Sequence, residues 1–123
     1  MVGVDIVAIA RIEKMIDRFG QKGLRRYLSE DEIALIKRVE TAAGFWAAKE
    51  AIAKALGCGI GADLAFHDIL LTKNEKGAPT FTLSPKALQK FPIKSASLSI
   101  AHDGGFAIAV AAVELDSTAA DKR

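Results

Sequence analysis

The chain opens with an apolar run, Val2 to Ile9, interrupted by a single acid at Asp5. Its β-branched residues predict a strand. From Ala10 to about Phe19 the apolar positions Ile12, Met15, Ile16 and Phe19 fall three, one and three residues apart, which is helical spacing. Gly20 and Gly23 should break that helix. Ser29-Glu30-Asp31-Glu32 carries a helix-start signature, with a serine able to cap and a glutamate three residues on, and predicts a helix running to about Val39. Thr41 to Leu56 is rich in alanine and predicts the longest helix, ended by Gly57-Cys58-Gly59-Ile60-Gly61. Phe45, Ala48, Ile52 and Leu56 form one stripe along it, and its only charges are Lys49, Glu50 and Lys54. So apolar a helix should be largely buried.

The second half reads mostly as strands. Ile69 to Thr72 and Thr80 to Thr82 form an antiparallel pair around a turn at Asn74 to Gly77. Ser84-Pro85 opens a short helix, with proline at its first position. Ala96 to Ile100 and Phe106 to Leu115 are two more strands, joined by a tight turn at Asp103-Gly104-Gly105. A strand, then helices, then mostly strands favours the α+β class: a small antiparallel sheet packed with a long central helix and shorter helices. Neither a repeat nor a linker is visible. Residues 1–116 should form a single domain, and the polar tail from Ser117 to Arg123 should be frayed.

Composition narrows the function classes. A chain of 123 residues suits one core. Half of the residues are hydrophobic and about a quarter charged, ordinary values for a globular protein. No apolar run approaches the roughly 18 residues needed to span a bilayer. The N-terminus lacks the basic region of a signal peptide, and Cys58, the single cysteine, cannot form an internal disulfide. Together these point to the cytoplasm, with no membrane partner. The net charge of +2 is small, but Arg11 to Arg26 holds six basic residues against two acids. A local basic face suggests an acidic partner. It is equally the pattern of a solvated helix face. Aromatic residues are not interleaved with these basic ones, which argues against nucleic acid.

Three features strain a purely structural reading. A carboxylate inside an apolar strand, Asp5, is expensive to bury unless it is paired or binds a metal. Its side chain points away from the face of Val4 and Ile6, so it could emerge at a cleft while they pack. It could also be a partly exposed edge position, or pair with Arg11. On the long helix, Glu50 and Lys54 are four apart and share a face, with Lys49 about 100° to the side. They could be a surface pair. On a helix otherwise buried, an acid and two lysines instead suggest a metal–phosphate site. The third feature is Ser97-Leu98-Ser99-Ile100-Ala101-His102. Alternation puts His102 on the face of Leu98 and Ile100, though at the strand's end. A lone histidine there can be structural or catalytic, and His67 has no motif around it. The glycine-rich loop after the long helix is no dinucleotide fingerprint, which must follow a strand and open a helix. One cysteine and two scattered histidines do not make a zinc site.

The three features occur together in one family. Gly3-Val4-Asp5-Ile6 with Arg11-Ile12-Glu13, then Phe45-Trp46-Ala47-Ala48-Lys49-Glu50-Ala51-Ile52-Ala53-Lys54-Ala55-Leu56-Gly57 continued by Gly59-Ile60-Gly61, then Ser97 to His102, resemble the holo-[acyl-carrier-protein] synthases, small bacterial 4′-phosphopantetheinyl transferases. The resemblance spans nearly the whole chain. It implies transfer of the phosphopantetheine arm of coenzyme A to a serine of apo acyl carrier protein, for fatty acid biosynthesis. It implies that Asp5 and Glu50 hold Mg²⁺, for which Mn²⁺ can substitute. It implies catalytic roles for Glu50, Lys54 and His102, and coenzyme A contacts from Lys49, Lys54, Gly57, Ser99 and His102. Docking of the acidic carrier protein falls to Arg11, Lys14, Arg18, Lys22 and Arg25. The family fold is α+β and usually a homotrimer with active sites between subunits. One departure stands out: where many relatives carry an arginine before the aromatic residue of the second motif, this chain has Phe45. Lys37 and Arg38 are candidates to compensate at the 3′-phosphate. A non-catalytic module for acidic proteins would use the same basic helices but leaves Asp5 and Glu50 unexplained.

Overall fold

The computed structural model describes residues 1–116. The expected frayed tail, Ser117 to Arg123, lies outside them. In chain order the elements are β1 (Val2–Ala8), α1 (Ile9–Phe19), α2 (Gln21–Arg25), α3 (Glu30–Ile33) and α4 (Val39–Ala55). A 3₁₀ turn (Phe66–Asp68), β2 (Ile69–Lys73), β3 (Pro79–Leu83), α5 (Pro85–Lys90), β4 (Ile93–Asp103) and β5 (Phe106–Leu115) follow. The expected α+β class holds. β5 lies between β1 and β4 in an antiparallel three-stranded sheet, and β2 and β3 form a separate hairpin.

Helix α4 covers one face of the larger sheet. Gly3, Asp5 and Val7 of β1 alternate onto that face, above β5 positions filled by Ala107, Ala109 and Ala111, all buried. These small residues bring helix and sheet close. A Cβ on Gly3 would overlap the carbonyl oxygen of Ala51 and stand 2.5 Å from the amide nitrogen of Ala55. One on Gly44 would stand 2.8 Å from the Cγ2 of Ile100. The predicted apolar stripe of α4, Phe45, Ala48, Ile52 and Leu56, is buried.

The opposite face of the sheet is open. Val2, Val4 and Ile6 of β1 are 55–69% exposed, and Phe106, Ile108 and Val110 of β5 are 40–47% exposed. This reverses an expectation for β1. Asp5 is on the covered face, and its apolar neighbours are the ones left uncovered, because α4 seats on the glycine side of the strand.

Several boundaries differ from the sequence pattern. The helix after Ser29 has the expected capping box but stops at Ile33 instead of running to about Val39. Leu35 and Ile36 donate to carbonyls only three residues back, the tightening that ends a helix. Arg38 is then extended, and α4 starts at Val39, two residues before the expected Thr41. Gly23 does not break structure: it lies within α2, where a Cβ would press on Met15 and Phe19 of α1. Strand β4 continues to Asp103, so His102 is paired within it, opposite Ala107. The turn is Gly104-Gly105, whose φ values of 57° and 85° suit glycine.

Lys49 is the largest departure. Sequence spacing placed it in a cleft beside Glu50, as a phosphate ligand. Its side chain is instead fully buried. The Nζ donates to Glu32 Oε1 at 2.9 Å, the Tyr27 carbonyl at 2.7 Å and the Phe66 carbonyl at 3.0 Å. Glu32 Oε1 also accepts from the Ser29 amide at 2.7 Å, and Oε2 from the Leu71 amide at 2.8 Å. Burial pulls the Lys49 pKa down, against the opposing pull of Glu32. One buried ion pair therefore ties the α2–α3 connection, α4, the 3₁₀ turn and β2 together. Around it Tyr27, Trp46 and Phe66 pack with ring centroids 5.0–6.1 Å apart. With three acceptors already on its ammonium and no exposed surface, Lys49 cannot reach a ligand.

Removing one partner of such a pair leaves a buried charge uncompensated. Lys49→Met should lower the unfolding free energy by about 3–5 kcal/mol in urea denaturation. Adding Glu32→Gln should recover part of that loss. A single variant as stable as the wild type would contradict the structural role assigned to Lys49.

Candidate active site

Asp5, Glu50 and Lys54 come together at the β1 edge of the sheet. Alternation on β1 turns Asp5 toward α4, and the absence of a side chain at Gly3 lets α4 sit close enough to meet it. Glu50 and Lys54, one helical turn apart, face that strand. The Lys54 Nζ donates to Asp5 Oδ1 at 2.8 Å and to the Val4 carbonyl at 3.3 Å. The partner of Asp5 is thus Lys54 and not Arg11. The Asp5 side chain is 15% exposed and that of Lys54 51%, so the pair lies at a surface cleft.

The Glu50 carboxyl is held above its ordinary pKa, first by partial burial and then by the negative charge of Asp5. Lys54 and Arg11 partly offset this. Lys54 is held above its ordinary pKa chiefly by its hydrogen bond to Asp5, and stays protonated. Arg11, at the start of α1, rests its guanidinium over the Trp46 ring, 5.2 Å from the centroid. Trp46 is one turn before Glu50 on α4, which is why Arg11 is close enough to matter.

Glu50 accepts no hydrogen bond and Asp5 Oδ2 has no partner among the described residues. Two neighbouring carboxylates with unengaged oxygens suit a hard divalent cation, which takes oxygen ligands. Among the described residues no group of three or more His, Cys, Asp or Glu side chains could hold a metal ion. A cation here would complete its shell with water and substrate oxygens, as Mg²⁺ commonly does.

The other expected site residues lie elsewhere in a single chain. His102 is on β4, with β5 between it and β1. It lines a cavity of about 180 Å³ with Glu40, Gly44, Phe45 and Ile100. Gly44 is six residues before Glu50, about 9 Å back along α4. Ser99 is on the open face of β4, opposite to the His102 face. Gly57 ends α4 with a φ of 80°, its amide donating to the Lys54 carbonyl at 3.0 Å. Phe45 is buried in the core, while Lys37 and Arg38 are exposed at the entry to α4. An open cavity of about 590 Å³ is lined by Met1, Val2, the start of β4 and the end of β5, and by neither carboxylate.

The basic residues Arg11, Lys14, Arg18, Lys22 and Arg25 are exposed on α1 and α2. Of these only Arg25 has an ion-pair partner among the described residues, Glu30 at 2.7 Å. Sequence reasoning read Glu32 only as a capping-box acid and missed its buried pairing with Lys49. It also missed the Arg11–Trp46 contact, which no spacing rule encodes.

Comparison with known proteins identifies the family. The family model ACPS, 4′-phosphopantetheinyl transferase superfamily, matches residues 1–111. A holo-[acyl-carrier-protein] synthase from Sulfurovum sp. (strain NBC37-1) is 65% identical over 116 residues, covering 94% of this chain and 98% of its own. A protein of the same name from Sulfurimonas denitrificans is 55% identical over 122 residues, covering 99% of each chain. The crystal structure of Helicobacter pylori holo-[acyl-carrier-protein] synthase in complex with coenzyme A is 52% identical, with a TM-score of 0.89, and covers 93% of this chain and 100% of that one. The chain belongs to the 4′-phosphopantetheinyl transferase superfamily, the family its three motifs indicated. No helix among the described residues is long and apolar enough to cross a membrane.

Proposed function

We propose that this chain transfers the 4′-phosphopantetheine arm of coenzyme A to a serine hydroxyl of apo acyl carrier protein, leaving adenosine 3′,5′-bisphosphate. The reaction supplies holo carrier protein for fatty acid biosynthesis, in the cytoplasm. The observation that carries this reading is the meeting of Asp5, Glu50 and Lys54 at one cleft within a fold of this family.

In phosphoryl transfer the protein mainly positions groups and neutralises charge. Asp5 and Glu50 would hold Mg²⁺, or Mn²⁺ in its place, which supplies charge neutralisation on the pyrophosphate. Lys54, half-exposed and protonated, donates two of its three N–H groups to Asp5 and the Val4 carbonyl and can offer the third to a phosphate oxygen. Gly57 directly follows that turn of α4, where a φ of 80° suits glycine and the space around its Cα is open. The serine proton needs an acceptor. Glu50 has raised proton affinity and lies at the cleft, and His102 is the second candidate.

His102 reaches this chemistry only if another copy of the chain supplies it. We therefore propose a homotrimer with sites between subunits, in which the His102 and Ser99 strand of one subunit approaches the carboxylates of the next. The uncovered face formed by Val2, Val4, Ile6, Phe106, Ile108 and Val110 supports association, because a monomer would leave a contiguous apolar face in water. The basic residues Arg11, Lys14, Arg18, Lys22 and Arg25 would dock the acidic carrier protein. Arg11 sits beside Glu50, so docking along α1 would bring the carrier's serine to the cleft. A non-catalytic module for acidic proteins would leave the paired carboxylates without a role.

Mass spectrometry of apo carrier protein incubated with coenzyme A and Mg²⁺ should show the phosphopantetheine increment, and EDTA should abolish it. Asp5→Ala and Glu50→Ala should each abolish transfer while circular dichroism stays that of the wild type. Near wild-type turnover in either variant would refute the metal assignment. Ile108→Asp with Val110→Asp should yield monomers in sedimentation velocity and lose transfer. Full activity from such a monomer would refute the shared site. Arg18→Glu with Arg25→Glu should raise KM for carrier protein far more than for coenzyme A. Equal changes in both would exclude docking on this face.

A further inference from the structure

The basic face of α1 and α2 has an aromatic residue at its centre, Phe19, which corrects the reading that no aromatic is interleaved with these basic residues. Phe19 is the last residue of α1 and is 43% exposed. No other large hydrophobic side chain among the described residues of α1 or α2 is as exposed. The Arg18 guanidinium lies 5.3 Å from its ring centroid and that of Arg26 5.2 Å. Neither arginine has an ion-pair partner among the described residues.

The backbone that carries the ring is fixed before any partner arrives. The Gly20 amide donates to the Ile16 carbonyl at 2.7 Å, and a φ of 58° at Gly20 turns the chain sharply after Phe19. Helix α2 folds back so closely that a Cβ on Gly23 would stand 3.2 Å from the Met15 side chain and 3.4 Å from the Phe19 Cβ. An exposed aromatic with little conformational freedom loses little entropy on binding. Aromatic and arginine side chains clustered together are the residue types that dominate interface energetics. Along α1, Phe19 is eight residues from Arg11, about 12 Å. A partner whose serine is at Glu50 and whose acidic surface follows α1 would cover it.

We propose that Phe19 is the apolar anchor of carrier-protein recognition, seating in an apolar depression between acidic side chains of the carrier while Arg18 and Arg26 pair with those acids. This rests on the docking reading above. Charge alone would bring any acidic protein to this face. The ring adds a contact that such a protein cannot satisfy without a matching apolar surface, and so confers selectivity.

Steady-state kinetics of Phe19→Ala and Phe19→Leu against wild type, with apo carrier protein and coenzyme A varied separately, test the proposal. Phe19→Ala should raise KM for carrier protein about tenfold or more, leaving kcat and KM for coenzyme A within twofold. Phe19→Leu should recover most of the loss. The Phe19→Ala penalty should persist from about 50 to 300 mM salt, whereas that of Arg18→Glu with Arg25→Glu should shrink, because exposed charges are screened over that range. A penalty for Phe19→Ala that shrinks equally would mean the ring only orients the arginines, and would overturn the anchor. An unchanged KM in Phe19→Ala alongside a raised KM in the charge-reversed variant would also overturn the anchor, with docking on this face intact. No change in either would remove the docking reading itself, and the anchor with it.

Discussion

A helix can lie as close to a sheet as α4 lies to β1 only where neither surface carries bulk. Gly3 meets the backbone of Ala51 and Ala55 directly, and Ala107, Ala109 and Ala111 floor the contact. That approach puts a strand carboxylate within reach of helix side chains. Asp5 is two residues beyond Gly3 on the same face, and Lys54 reaches it from the end of α4. A helix standing a few ångströms further off would separate these groups and let water between them, with the loss of electrostatic coupling that follows. The cleft is therefore a consequence of packing before it is a consequence of chemistry.

Two adjacent residues on α4 meet opposite fates. Lys49 turns inward and is consumed by Glu32 and two backbone carbonyls, whereas Glu50 turns toward β1 and keeps its oxygens free. The roughly 100° between successive helical positions makes this possible. Burying a lysine is costly, and the cost is met here by a fully hydrogen-bonded acid and by the carbonyls of Tyr27 and Phe66. The same pair gathers the α2–α3 connection, the 3₁₀ turn and β2 around α4, which limits the rotation of the helix and so the aim of Glu50.

The single chain presents its functional groups on separate surfaces. The carboxylates and Lys54 are at the β1 edge, His102 is on the opposite edge strand, and an apolar sheet face is open beneath both. The basic helices form a further surface, with most of their cations unpaired and an aromatic ring among them. Such a distribution suits a reaction in which a small substrate, a large protein substrate and neighbouring subunits all converge on a short stretch of helix.

Sequence by itself determined the elements, because they follow from local rules. A run of apolar, β-branched residues gave β1, helical spacing gave α1, alanine richness gave α4, and the Ser29–Glu32 box placed the start of α3. It also marked Asp5 and Glu50, since an acid in apolar surroundings needs a reason wherever it sits. Tertiary structure alone decided the partners. Lys49 and Lys54 are both lysines of one helix, equally plausible as phosphate ligands by spacing, and only packing against Tyr27, Glu32 and Phe66 takes Lys49 inside. Likewise alternation showed that Asp5 and Val4 face opposite ways but not which face α4 would cover. That choice depends on residues fifty positions apart, where Gly3 admits the helix and Val4 does not, and no local pattern carries information over that distance.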